Sequence, residues 1–319
     1  MKEGVLRAIF MGLALSLLLT PVARAQEKLR VATTVREYTG YYLPILAAQE
    51  RGFFKEEGLE GEWVPFGGSP AMYRAVAAKE IDFGLAPVAS VMLSQARGIP
   101  VIAVAELIPN DPFLIWVRSD SRFKDPRELD GTVMGVPRLG STSHAYGQAM
   151  AKALGFKKGI KFVGAGGLTE EMAALKAGSI DSIIEPLAIT IPLKMSGDIR
   201  EIGSMTQFLP KEWLEHVVFA TTDLIKKRPD VVRRGVRALL RGVDFIQKNP
   251  KWATDKSVSV GGYSPEASRL MYEGIQYSRD GKINRKTMED VRSFLIEFGV
   301  IPKDKTPPVD ELFTQEFTG

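Results

Sequence analysis

The feature that most constrains this chain is a strand–helix unit that occurs twice. Asp82 and Asp181 lie 99 positions apart, and at the same offset Gly67-Gly68 falls on Gly166-Gly167, Ala78 on Ala177, Ile81 on Ile180, Pro87 on Pro186 and Ala89 on Ala188. A double glycine, an Ile-Asp pair and a proline kept in step mark one structural unit used twice. Around each copy, short apolar runs alternate with helical patterns. Leu29 to Thr34, Gly61 to Phe66, Ile81 to Pro87 and Val101 to Leu107 read as strands. Between them helices are expected over Gly40 to Arg51, from Ser69-Pro70 to Glu80, and over Val88 to Arg97. The order recurs with strands at Thr132 to Pro137, Lys161 to Val163 and Ile180 to Glu185, and helices from Gly140–Ser143 to Gly155 and over Thr169 to Ala177. This alternation predicts an α/β fold with mainly parallel sheets flanked by helices, and its repetition predicts two lobes.

A third, mainly helical region follows. A helix starting at Asp223 or Pro229 runs to about Lys248, another starts at Ser264-Pro265, and Asn284 to Phe298 forms a third, stopped by Gly299. Their apolar faces need covering, so these C-terminal helices are expected to pack on lobe one. The predicted division is 1–25 as a signal peptide, 26–109 as the first part of lobe one, 110–220 as lobe two and 221–319 as the second part of lobe one. The signal reading rests on Lys2 and Arg7, an apolar run from Ala8 to Leu19, the break at Pro21 and the small residues Ala23 and Ala25. Cleavage is expected after Ala25, with the mature chain in the periplasm. The run is too short to span a bilayer as an anchor, and with no Cys after it a lipid anchor is not expected.

With 42 basic and 38 acidic side chains the balance points to no nucleic-acid partner, and the dense stretch Lys226 to Arg241 has the spacing of a solvated helix face. The absence of cysteine rules out disulfides and thiol chemistry. The two histidines, His144 and His216, lie far apart, no pair has metal-ligand spacing and no Gly-x-Ser-x-Gly elbow occurs. A chain with no metal, no cofactor and no catalytic activity is the expectation.

Ligands of open α/β sheets bind beyond the carboxyl ends of the strands. Two facing lobes bring Thr33-Thr34, Gly67–Ser69, Ala86-Pro87, Arg138–His144, Gly164–Gly167 and Glu185-Pro186 into one cleft. The loop Pro137 to His144 carries a glycine, Gly140, followed by the hydroxyl residues Ser141 to Ser143 at a helix start. It suits an anion, or equally plain capping by Ser141 or Thr142. It lacks the Lys-Ser/Thr ending of a nucleotide loop. Gly164-Ala165-Gly166-Gly167 resembles part of a dinucleotide fingerprint, but Thr169 stands at the third glycine position and a turn is the better reading. Glu185 departs from the repeat, its counterpart being Ala86. It suits an amine or ring N–H of a ligand, or a nearby Lys or Arg. Tyr38, Tyr41 and Tyr42 suit ligand stacking or helix packing.

Several runs resemble the sulfonate/nitrate/taurine and thiamine-precursor branch (SsuA/THI5-like, NMT1-like) of ABC-transporter periplasmic solute-binding proteins. They are Tyr42 to Leu59, Glu80 to Gly84, Leu129 to Val136, Gly140 to His144, Ala174 to Gly178 with Asp181, Glu185-Pro186 and Asn249-Pro250. The resemblance implies a type II two-lobed periplasmic-binding-protein-like fold, two hinge strands, closure on a small-molecule ligand and docking on an ABC permease. It places the ligand loops on Thr33–Tyr42, Gly67–Ser69, Ala86–Ser90, Arg138–His144 and Glu185. The candidate ligand-binding residues are thus Thr34, Tyr38, Tyr41, Gly68, Ser69, Pro87, Arg138, Ser141, Thr142, Ser143, His144 and Glu185. The expected ligand is a small organic anion such as a sulfonate, carboxylate or nitrate. The alternative is a thiamine pyrimidine precursor or other N–H-bearing heterocycle held by Glu185 and the tyrosines, and an enzyme using His144 comes third. The chain is expected to be a monomer. The family also includes eukaryotic pyrimidine synthases, whose cysteine-rich motif a cysteine-free chain cannot contain.

Overall fold

The computed structural model describes residues 26–36, 39–110, 113–210 and 213–318. The signal peptide expected at 1–25 and Tyr38 lie outside these residues. Among them the strands are β1 (Glu27–Thr33), β2 (Leu59–Pro65), β3 (Phe83–Pro87), β4 (Val101–Ile108), β5 (Phe113–Arg118), β6 (Val133–Val136), β7 (Lys161–Gly164), β8 (Ser182–Pro186), β9 (Ile199–Ser204) and β10 (His216–Thr221). The helices are α1 (Leu43–Glu50), α2 (Phe53–Glu56), α3 (Ser69–Ala77), α4 (Val88–Gln95), α5 (Thr142–Ala153), α6 (Leu168–Lys176), α7 (Leu187–Met195), α8 (Thr222–Lys227), α9 (Pro229–Lys248), α10 (Pro250–Ser259), α11 (Pro265–Gly274) and α12 (Arg285–Glu297).

Two five-stranded sheets result, ordered β2-β1-β3-β10-β4 and β7-β6-β8-β5-β9. In the first, β1 is parallel to β2 and β3 while β10 is antiparallel to β3 and β4. In the second, β6 is parallel to β7 and β8 while β5 is antiparallel to β8 and β9. The sheets are therefore mixed, parallel over three strands and antiparallel around the fourth, where the alternation predicted mainly parallel ones. The reason is topological. β5 follows β4 out of the first sheet, and β10 follows β9 out of the second, so each arrives from the other lobe and needs no helical crossover. Neither belongs to the repeated unit, and both are short apolar runs with almost every side chain buried.

The C-terminal helices pack less simply than expected. On α9 a stripe of Val232, Val236, Leu239, Val243 and Ile246 is buried at helical spacing. It lies against α1 of the first lobe, so closely at Gly242 that a Cβ there would stand 2.2 Å from the Pro44 carbonyl oxygen. α11, by contrast, sets Ala267 and Met271 in one cluster with Ala188, Ile189 and Ile191 of α7, which belongs to the second lobe. Near the end of α12 the Glu297 carbonyl accepts from Lys152 Nζ of α5 at 2.5 Å. These helices thus touch both lobes.

Candidate functional site

The carboxyl ends of β1, β2, β3, β6 and β8 line a half-open cleft whose two parts share Thr34, Gly68, Pro137 and Glu185, a smaller one of about 40 Å³, called the inner chamber, and a larger, less open one of about 250 Å³, called the outer chamber. From the first lobe Thr34, Tyr41, Gly68, Ser69 and Pro87 line the inner chamber, and from the second Ser141, Thr142, Ser143 and Glu185 do so. The outer chamber adds Arg36, the turn Gly166-Gly167 and Glu170.

Local chemistry explains the walls. Gly68 adopts φ +100°, a value that favours glycine, and its N–H donates to the Thr34 carbonyl at 2.7 Å, so α3 begins at the chamber with Ser69 and Pro70 in its first turn. Ser141 caps α5 by accepting from the His144 N–H at 3.3 Å. α4 and α7 begin directly after Pro87 and Pro186. Four helix starts therefore add partial positive charge to the chamber wall. Facing them is Glu185, 3% exposed. Its Oε1 accepts from Ser143 Oγ at 2.9 Å, inside the first turn of α5. Its backbone carbonyl is held by Trp116 Nε1 at 3.1 Å.

Other candidates are placed differently. Arg138 lines neither chamber. It reaches across the mouth, its Nε donating to the Gly67 carbonyl at 2.5 Å. His144 turns away from the inner chamber. Its Nδ1 accepts from the Gly140 N–H at 3.0 Å, and its ring packs edge-on against Phe162. Burial, and secondarily the nearby Arg97 charge, hold its pKa below the usual value. It lines a separate groove with Arg97 and Leu139. Of the tyrosines, Tyr42 sits behind the wall, its ring 4.3 Å from Trp63, while Trp63 Nε1 donates to Thr33 Oγ1 at 2.8 Å.

Sequence reasoning missed Phe113 and His216, which also line the inner chamber. They open β5 and β10, the crossing strands outside the repeat, and each looks like the first residue of an ordinary apolar run. His216 is 3% exposed, its ring 4.3 Å from that of Tyr41 at 34°. Burial pushes its pKa down to about 3, so the imidazole is neutral at ordinary pH.

A family model described as NMT1/THI5 like matches residues 39–253. The chain belongs to the NMT1/THI5-like family. A Brucella abortus protein whose name refers to binding, with no ligand stated, is 23% identical over 324 residues, covering 98% of this chain and 99% of its own. The riboflavin-binding protein RibY of Chloroflexus aurantiacus is 24% identical over 257 residues, 77% of this chain and 70% of its own. The 4-amino-5-hydroxymethyl-2-methylpyrimidine phosphate synthase THI5 of Saccharomyces cerevisiae is 23% identical over 225 residues, 66% of this chain and 65% of its own. Among solved structures, the alkanesulfonate-binding protein SsuA from Xanthomonas axonopodis pv. citri, bound to MOPS, is similar with TM-score 0.78 and 15% identity, over 90% of this chain and 98% of its own. The fold of this NMT1/THI5-like chain is that of the periplasmic binding proteins, two mixed sheets flanked by helices.

Proposed function

We propose that this protein is the extracytoplasmic solute-binding component of an ABC importer, and that its ligand offers an N–H or ammonium group to Glu185. The carrying observation is the Glu185 carboxylate on the inner chamber wall, hydrogen-bonded within the first turn of α5. An anion entering at that helix start would meet carboxyl oxygens already bonded there. The names of two relatives refer to nitrogen heteroaromatics, riboflavin and an aminopyrimidine, which agrees with this chemistry. The ligand is held between the lobes, which close about the crossings ahead of β5 and β10, and the closed form is what a permease recognises. The signal-like segment 1–25 and the fold family support export to the periplasm. The chain is read as a monomer, with lobe one formed by 26–109 and 221–319 and lobe two by 110–220.

Binding without turnover is the reading for the chemistry. Among the described residues no histidine, aspartate or glutamate cluster is built to hold a metal. His144 Nδ1 is occupied by the Gly140 N–H. Recovering ligand unchanged after prolonged incubation is the check, and a converted product would overturn it.

A second reading keeps the small organic anion, because the helix starts at Ser69 and Thr142 direct N–H groups at the chamber. One experiment separates the two. Calorimetric titration and thermal shift are run with 4-amino-5-hydroxymethyl-2-methylpyrimidine, riboflavin, taurine and nitrate, on the wild type and on Glu185→Gln. Stabilisation by an N–H heterocycle that Glu185→Gln weakens supports the first reading. Binding of taurine or nitrate that Glu185→Gln strengthens, by removing a like charge, supports the second.

A further inference from the structure

Two buried polar atoms on the inner wall stand out because the fold leaves them unpaired. Thr142 Oγ1 and His216 Nδ1 have no hydrogen-bond partner among the described residues, and both side chains are buried. Buried polar atoms are normally satisfied, and one that is not calls for an explanation. Neither is needed for local structure. Ser141, not Thr142, caps α5, and the packing of His216 is a ring contact with Tyr41 that leaves the imidazole edge available.

We infer that His216 is a specificity-determining ligand contact which, with Thr142 and Glu185, selects a small planar nitrogen heterocycle carrying both hydrogen-bond donors and acceptors. This rests on the cleft reading given above and extends it to a residue outside the repeated unit. The three groups come from three elements, the start of α5, the end of β8 and the start of β10. His216 belongs to the first sheet and the other two to the second lobe. A ligand bonded to all three therefore ties the lobes together. The rest of the wall sets the rings of Tyr41, Pro87 and Phe113 beside the hydroxyls of Thr34, Ser69, Ser141 and Ser143. Polar atoms contributed from both lobes, with ring faces beside them, suit a heteroaromatic ring with polar atoms around its edge, whereas an aliphatic sulfonate concentrates its polarity at one end. Glu185 accepts an N–H from the ring. Thr142 and the neutral His216 each donate or accept, which requires at least one further polar ring atom or substituent.

The test uses Thr142→Val, which removes Oγ1 at nearly constant shape, and His216→Leu, with Thr142→Ser and His216→Asn as variants that keep a polar atom near the same position. Affinity is measured for 4-amino-5-hydroxymethyl-2-methylpyrimidine and riboflavin, and the stability of each variant without ligand by urea denaturation. The expected result is about tenfold weaker binding of at least one probe for Thr142→Val and for His216→Leu. Restored affinity is expected in Thr142→Ser and His216→Asn, with ligand-free stability unchanged or raised. Wild-type affinity in both apolar variants overturns the inference while leaving the Glu185 reading intact. If neither probe binds the wild type, the heterocycle reading fails, and ligand-free stability then decides the inference. A loss of stability in both apolar variants shows that these atoms serve the fold and overturns it. Unchanged or raised stability upholds their assignment to a ligand.

Discussion

At the residue scale, burial sets the chemistry of the ionisable groups. His216 has its pKa pushed to about 3 from 6.5. Between those values the unfolded chain binds the proton and the folded chain does not, so His216 lowers stability as pH falls, by about 1.4 kcal/mol per pH unit. Glu106 is pushed the other way, to about 7 from 4.5, first by burial and then by the Asp280 charge, against a lowering hydrogen bond from Ser278. There the folded chain binds the extra proton, so Glu106 raises stability as pH falls through that window. From about pH 6.5 to 4.5 the two oppose each other. Denaturant titrations of Glu106→Gln over this range are therefore expected to show a steeper loss toward acid than the wild type, and a double variant with His216→Leu to flatten it. For the ligand, Glu185→Gln is expected to weaken an N–H-bearing ligand by about tenfold or more, since a charge-assisted bond becomes a neutral one. Calorimetry reads this directly.

At the element scale, the site depends on where helices begin. Ser141 is the cap of α5, so Ser141→Ala is expected to cost about 1 kcal/mol of stability, read by urea denaturation. It also loosens the turn that presents Thr142 and Ser143, so affinity falls with it. Gly242 shows the packing counterpart. With the Pro44 carbonyl oxygen 2.2 Å from an added Cβ, Gly242→Ala forces α9 away from α1. The expected loss is about 1–3 kcal/mol of stability, with ligand affinity little changed because neither helix lines the chamber. The repeat, the double glycines and the helix starts at Ser69 and Thr142 were legible because turns and caps demand particular residue types. The crossing strands were not. β5 and β10 carry apolar runs whose partners lie far away in the chain, so Phe113 and His216 had no local signature. The inward turn of Glu185 and the outward turn of His144 follow from neighbours in space, not from their own loops.

At the scale of the whole molecule, the proposed function calls for closure of the lobes, and the mouth carries a contact between them. Arg138 Nε bonds to the Gly67 carbonyl at 2.5 Å, joining the loop after β6 to the loop after β2. Removing it by Arg138→Ala is expected to shift the balance toward an open form and weaken ligand binding about fivefold. The radius of gyration from small-angle scattering should rise in the ligand-free variant and return toward the wild-type value at saturating ligand. An unchanged radius in both states would assign Arg138 no part in closure.

From the sequence alone came the α/β class, the doubled unit, the two lobes and most of the cleft-lining loops, because periodicity, glycine turns and helix caps act over a few residues. Tertiary structure decided the mixed pairing of the sheets, the reach of the C-terminal helices across both lobes and the make-up of the inner chamber. Those depend on contacts between segments 100 or so residues apart, where burial and hydrogen-bond geometry, rather than local propensity, select the arrangement.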